Sequence, residues 1–549
     1  MAGTMRTFDS ARRDLLRLSS MGLAASTVSA IPAFAASKKP AAPSLAPMLF
    51  DVRTFGATGD GKTVDSPAIN KAIEAAAAVG GGTVFFPAGN YVSFSIRLKS
   101  HVDLYLSQGC AIIAAESPLP GQTTGYMGGV YDAAEPDSAW EKYQDWGHNH
   151  WHNSLLWGDG ISDFSITGPG LIWGKGLSFG ADRAVRGDYP KYTAEQAGVG
   201  NKAIGLKNCH NVVLRDFSIL KGGHFGILFT GVDNLTIDNL KIDTNRDGMN
   251  IDCCRNVRIT NCTVNSPFDD GICPKSSFAL GYARPTENVT ISDCFVTGSY
   301  EIGSVLDGTW RRLPAEFTPY ATGRIKCGTE SNGGFRNITI SNCVFEHSRG
   351  FFLETVDGAL CEDISFVGVT MRGTLNSPLF LRPGQRMRGP ADAKAGTLKR
   401  LLISNVTSSN SVQLPSILSG VPGYPIEDVK ISDVYLHQIG GADAAMAQPQ
   451  PPEREREYPE PTMFGPLPAT GFFLHHVRNL EMSHVEIATE QPDQRPSFAV
   501  IDVDRADFLR IRVPQHGSAF SLSQMKSFRS FGSQLLPDQS FQQIDSKSY

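Results

Sequence analysis

Apolar and polar residues alternate along short segments that recur through the chain. NVVLRDFSIL, from Asn211, returns as NLTIDNLKID from Asn234, NVRITNCTVN from Asn256, NVTISDCFVT from Asn288 and NITISNCVFE from Asn337. Weaker copies start at Asp363, Arg400, Asp428 and Asn479. A period of two predicts half-buried strands, and helical spacing is absent from these segments. The copies at Asn211, Asn234 and Asn256 start 23 and 22 residues apart, the length of one coil of a β-solenoid. The longer gaps read as coils carrying inserted loops. One such strand cannot bury its apolar face alone, so stacked coils must share a core. The Asn or Asp that opens most copies suits a turn, where equivalent side chains can form a hydrogen-bonded ladder from coil to coil.

The seventh position of the copies reads Phe217, Leu240, Cys262, Cys294, Cys343, Val369, Val406, Val434 and Val485. Cysteine thus alternates with plain hydrophobes in one column, and a free thiol is a small buried hydrophobe. A reduced core stack is expected rather than disulfides. Upstream, Asp65 or Ser66 can cap a helix through Ala68–Val79 that Gly80–Gly82 ends, followed by the strand TVFFPAG. A terminal helix would cover the open end of a solenoid. Two stretches, 117–150 and 440–468, read as insertions that shape the ends of a cleft.

Composition adds limits. The chain has 549 residues and a formal net charge of −5, which speaks against a nucleic-acid-coating surface. Arg12-Arg13, an apolar run and Ala33-Phe34-Ala35 read as a twin-arginine-type signal peptide over residues 1–35. A flexible leader (36–48), a β-solenoid catalytic domain (49–515) and a C-terminal tail (516–549) are expected to follow. The expected location is periplasmic or secreted, with no membrane partner and a monomeric chain.

Chemistry concentrates in the loops between central coils. Asp247 and Asp269 are 22 residues apart, so coil stacking brings Asp247 toward the Asp269-Asp270 pair. Three crowded carboxyls repel one another, which raises at least one pKa and leaves another to activate water. An inverting glycosidase needs such a division, with ~6.5–9.5 Å between acid and base. Arg324 and Lys326 would share one face, with Ile325 turned to the core. His148, His150 and His152 alternate and could share a strand face, but no further motif completes a metal site. No metal and no cofactor is expected.

These motifs resemble glycoside hydrolase family 28, the polygalacturonase family, from GATGDGKTVDSPAINKAI to GYPIEDVKISDV. Asn245-Arg246-Asp247 matches the family's Asn-Thr-Asp motif with Arg replacing Thr. Asp269-Asp270 and Arg324-Ile325-Lys326 match the other two intact. The resemblance implies an all-β, single-stranded right-handed parallel β-helix, a pectin-lyase-like solenoid with an N-terminal capping helix. It implies Asp269 as general acid, Asp247 and Asp270 as water-activating groups, and Arg324 and Lys326 as binders of an acidic plant polysaccharide or oligosaccharide. The family's Gly-His-Gly motif would fall in TGSYEIGSVLDG, which has no histidine. That loss points to the rhamnogalacturonan branch or an exo-acting galacturonidase. Asn245, Lys275, Glu301 and His224 are further substrate-binding candidates, the last two as replacements for the missing histidine. The competing readings are a β-helix polysaccharide lyase using calcium, a family 28 hydrolase releasing another sugar such as rhamnose, and a non-catalytic carbohydrate-binding solenoid.

Overall fold

A computed structural model describes residues 48–178, 191–534 and 536–548. The expected signal peptide and almost all of the leader lie outside the described residues. From residue 48 onward the chain winds as a right-handed parallel β-helix, with strands stacked in parallel from coil to coil. The alternation seen in the sequence sets the faces. Val212, Leu235, Val257, Val289, Ile338 and Ile364 follow one another in register and are nearly inaccessible.

The turn that opens each copy explains its Asn or Asp. Asn211, Asn234, Asn256, Asn288 and Asn337 all adopt left-handed backbone, φ 52° to 58°. Asn tolerates that region better than most residues because its short amide bonds locally. Their side chains form the expected ladder: Asn234 donates to Asn211 (2.9 Å), Asn256 to Asn234 (3.1 Å), Asn288 to Asn256 (3.1 Å) and Asn337 to Asn288 (2.8 Å). Cys262, Cys294 and Cys343 stack in the core column, and all ten cysteines are buried free thiols.

Helix α1 (Ser66–Ala78) covers the first coils, burying Ile69, Ala72, Ile73 and Ala76. Asp65 precedes it, but its carboxylate accepts from the backbone of Thr58 (2.7 Å) and Gly59 (3.0 Å) instead of capping the helix. The other end corrects the sequence expectation of a tail from 516. Residues Phe520–Phe531 form another parallel strand of the solenoid, and Gln539–Ser548 pairs with it antiparallel. Phe520, Leu522, Met525 and Phe528 extend the core, and the reversed strand protects the last edge.

A separate six-stranded parallel sheet carries the candidate chemistry. Its last three strands are β1 (Phe225–Thr230), β2 (Asp247–Asp252) and β3 (Ile272–Lys275). Backbones here approach closely: a Cβ on Gly248 would lie 2.4 Å from the Gly271 carbonyl oxygen. Glycine therefore follows both Asp247 and Asp270, and lets the two carboxyl-bearing turns stack.

Candidate active site

Asp247 begins β2 opposite Phe225, and Met249 lies opposite Ile272. The second pairing is a step of 23 residues, one more than the 22 used to bring Asp269 to Asp247. Asp270 therefore falls in line with Asp247, whose neighbour Gly248 donates to the Asp270 carbonyl at 2.9 Å. Asp269 sits in the turn before β3, not on a strand, so both acidic side chains are released toward one side. Ser266 ties the turns together: its hydroxyl donates to the Arg246 carbonyl (2.6 Å) and reaches the Asp269 carbonyl at 2.9 Å. Asp247, Asp269 and Asp270 offer oxygens within 4.8 Å of one another.

The three carboxyls have different surroundings. Burial, then the charge of Asp269, push the Asp247 carboxyl well above its ordinary range. Burial opposes ionisation of Asp270 too, but Arg324, Lys326 and Lys275 outweigh it and hold that carboxyl below its ordinary range. Arg324 Nε donates to Asp270 at 2.6 Å and Lys326 Nζ lies 3.2 Å from its other oxygen. Ile325 between them is fully buried, as alternation predicts. Asp269, the most exposed of the three at 27%, forms a 2.6 Å ion pair with Arg246, the residue that replaces the family's threonine. The site thus sets a carboxyl pushed upward by burial beside one held ionised by two cations, the contrast that acid–base cleavage of an acetal uses.

The other expected residues divide. Asn245 is buried, and its carbonyl accepts from Phe268 at 3.1 Å, so its backbone supports the Asp269 turn. Lys275 is buried in a 2.6 Å ion pair with Glu330. His224 stacks on Phe225, centroids 4.2 Å apart, and burial followed by Arg246 holds it neutral, well below the ordinary histidine range. Glu301 is not brought to the carboxylates: it is half-exposed and pairs with Arg311 at 3.4 Å. The residues around His148, His150 and His152 form no strand. Instead of sharing a face, the three rings reach different partners: Asp145, Glu141 and Glu135 respectively.

Sequence reasoning missed the residues that complete the cleft. From the 440–468 insertion, Tyr458 hydroxyl lies 3.1 Å from Lys326 Nζ, and Glu460 accepts from Arg324 (3.3 Å) and Arg349 (2.8 Å). From the 117–150 insertion, Asp145 pairs with Arg388 at 2.9 Å, and Arg388 also holds Glu330 at 2.8 Å. Glu354 is fully buried below Lys326, 3.7 Å from its Nζ, and burial pushes its carboxyl up to about 7. Arg246 carries a signal as the odd residue in a recognised motif, and Glu330, Glu354 and Asp357 stand out in the sequence only by lying near Arg324-Ile325-Lys326, with no role assigned. Glu354 stands on the strand Phe351–Thr355, and the rest arrive on loops whose paths no periodicity encodes. The three carboxylates resemble a cation site, but Arg324 and Lys326 already take both oxygens of Asp270, which counts against a calcium ion there.

A parallel β-helix with converging carboxylates flanked by paired Arg and Lys is a carbohydrate-cleaving solenoid. A family described as "Rhamnogalacturonase A/epimerase, pectate lyase-like" matches residues 49–125, and a "Right handed beta helix region" matches residues 192–359. A probable polygalacturonase of Vitis vinifera is 25% identical over 408 residues, covering 70% of this chain and 73% of that protein. An exo-poly-alpha-D-galacturonosidase of Dickeya chrysanthemi is 25% identical over 314 residues, 48% of this chain and 49% of that one. The solved family 28 exopolygalacturonase of Yersinia enterocolitica superposes with a TM-score of 0.60 at 18% identity, covering 86% of this chain and 79% of that chain. These likenesses support a place in glycoside hydrolase family 28, and the chain is a glycoside hydrolase.

Proposed function

We propose that this enzyme hydrolyses glycosidic bonds of galacturonic-acid-containing pectic chains, rhamnogalacturonan or galacturonan, from one end and with inversion. The observation that carries the reading is the convergence of Asp247, Asp269 and Asp270, with Arg324 and Lys326 on the two oxygens of Asp270 and no cation at ion-pair distance from Asp247 among the described residues. Asp270 activates the attacking water. Asp269, the carboxyl most open to solvent, delivers the proton to the leaving-group oxygen and draws it from Asp247 beside it, while Asp270 takes up the proton of the water. Inversion fits these surroundings better than a covalent intermediate. Cations on both oxygens of Asp270 oppose a covalent bond to either one, whereas a water needs only a hydrogen bond to the carboxylate.

Two features support attack from a chain end. Tyr458 and Glu460 stand on one insertion and Asp145 on another, and both insertions reach the cations around the carboxylates. The named relatives from Dickeya and Yersinia are exo-acting on galacturonan. A uronate carboxylate finds the Arg324–Arg349 pair, where Glu460 already models a bound carboxylate. Export through the twin-arginine-type leader places the enzyme with its substrate.

The test is a panel of homogalacturonan, rhamnogalacturonan and rhamnose-capped oligosaccharides, with products sized over time and the first-formed anomer read by NMR. Short saturated products of inverted configuration are expected. Ultraviolet-absorbing unsaturated products would establish a lyase, a retained anomer would make Asp269 the nucleophile, and release of neutral sugar alone would overturn the acidic substrate. Fractionation of the native host checks export.

A further inference from the structure

We propose that Glu453, His475 and His476 form a zinc site that clasps the 440–468 insertion to the solenoid wall. No motif in the sequence points to a metal here. The sequence also gives no reason to join His475 and His476, because neighbours on a straight strand point to opposite faces. The backbone removes that obstacle. His476 adopts left-handed geometry, φ 51°, and the bend turns both rings to one side, stacked with centroids 3.8 Å apart. Asp502, on the next coil, bends the same way at φ 49°.

Both imidazoles converge on one carboxylate. His476 Nε2 lies 3.0 Å and His475 Nε2 3.6 Å from Glu453 Oε1. Ligands at ~2.0–2.1 Å from a tetrahedral zinc ion are spaced by roughly 3.3 Å, which these two distances bracket. The three donor atoms lie within 4.8 Å of one another, and the buried second oxygen of Glu453 has no hydrogen-bond partner. Asp502 accepts from the remaining nitrogen of His476, Nδ1, as the outer carboxylate of a carboxylate–histidine–zinc triad does.

Arg382 is the nearby opposing charge. Its guanidinium donates to the Ser419 carbonyl (3.2 Å) and hydroxyl (2.8 Å), the Gly420 carbonyl (2.7 Å) and the Glu453 carbonyl. Two histidines and one carboxylate select a borderline ion such as Zn²⁺ over calcium or magnesium, and leave one position for water. Glu453 is five residues before Tyr458 and seven before Glu460, so an ion here fixes the root of the segment that reaches Lys326 and Arg324.

The experiment is titration of the full, metal-stripped chain with Zn²⁺ alone by calorimetry, and with Co²⁺ alone by visible absorption. One zinc per chain and a tetrahedral cobalt spectrum are expected. His475→Ala and Glu453→Gln should abolish both, and Asp502→Asn should weaken binding by ~10–100-fold. Glu453 lies on a surface loop, so its variant keeps the test valid if His475→Ala fails to fold. The groups around His150 and His152 each offer a single imidazole, and alanine at either histidine should leave this binding unchanged. No binding by the wild-type chain, or binding that survives in folded Glu453→Gln, overturns the proposal.

Discussion

Arg324 and Asp270 meet at 2.6 Å although 54 residues separate them in the chain, and both side chains are only 3% exposed. Coil stacking makes this contact, and it fixes the charge of a buried carboxylate. Removing one partner strands the other charge in a poorly solvated place. Arg324→Ala is expected to destabilise the protein by about 3–5 kcal/mol and to abolish activity. The double variant Arg324→Met, Asp270→Leu should recover much of the melting temperature and none of the turnover. Thermal melts and activity on the same preparations check both.

Asp247 and Arg246 predict a pH signature. Asp247→Asn should fold normally and lose ~10²–10⁴-fold in kcat, the usual scale for a lost acid–base group. Arg246 is among the charges that restrain the upward shift of Asp247. Arg246→Thr should let that carboxyl rise further, so the alkaline limb of the pH–rate profile moves to higher pH. An unmoved limb would remove Asp247 from proton supply.

The alternation around Val257 and Ile338, and the Asn at each turn, made the solenoid legible, because a period-two strand with a fixed turn residue repeats its own reason for folding. Ile325 facing inward between Arg324 and Lys326 followed from the same rule. One extra residue in the Asp269 turn shifted the register onto Asp270, and coil length alone does not encode such a shift. Tyr458, Glu460 and Asp145 were illegible because long loops reach the site by paths that only packing decides. The final coil was read as a tail because Phe520–Phe531 carries none of the ladder asparagines.

The ladder supports a stability prediction. Asn256 has φ 56°, donates to Asn234 and accepts from Asn288. Alanine there loses both bonds and pays about 1–2 kcal/mol for the left-handed backbone. Asn256→Ala should therefore melt lower than Asn256→Gly, which loses the bonds without the strain. Equal melting temperatures would show that the backbone conformation carries no cost.

Glu354 predicts a stability change near neutrality. Its carboxyl is raised to about 7, so between the ordinary glutamate value of ~4.3 and that point the folded state holds a proton the unfolded chain releases. This contribution is fully present below ~4.3 and is lost as pH rises through about 7. Glu354→Gln removes the titration while Lys326 keeps Asp270 as its partner. Its melting temperature should thus fall less than the wild type's between pH 5 and 8, and parallel curves would reject the assignment.

Glu460 holds Arg324 and Arg349 in the place proposed for a uronate carboxylate. A substrate acid must share or displace it, so the protein's own carboxylate competes with the ligand. Glu460→Gln leaves a hydrogen-bonding side chain of the same shape and removes the competing charge. KM for oligogalacturonate should fall by about fivefold, equivalent to ~1 kcal/mol, with kcat little changed. The gain should shrink at high salt, because partly exposed charges are screened. A neutral oligosaccharide should show no change in KM. A rise in KM for the acidic substrate would instead identify Glu460 as a group that positions Arg324, and would move the uronate subsite elsewhere in the cleft.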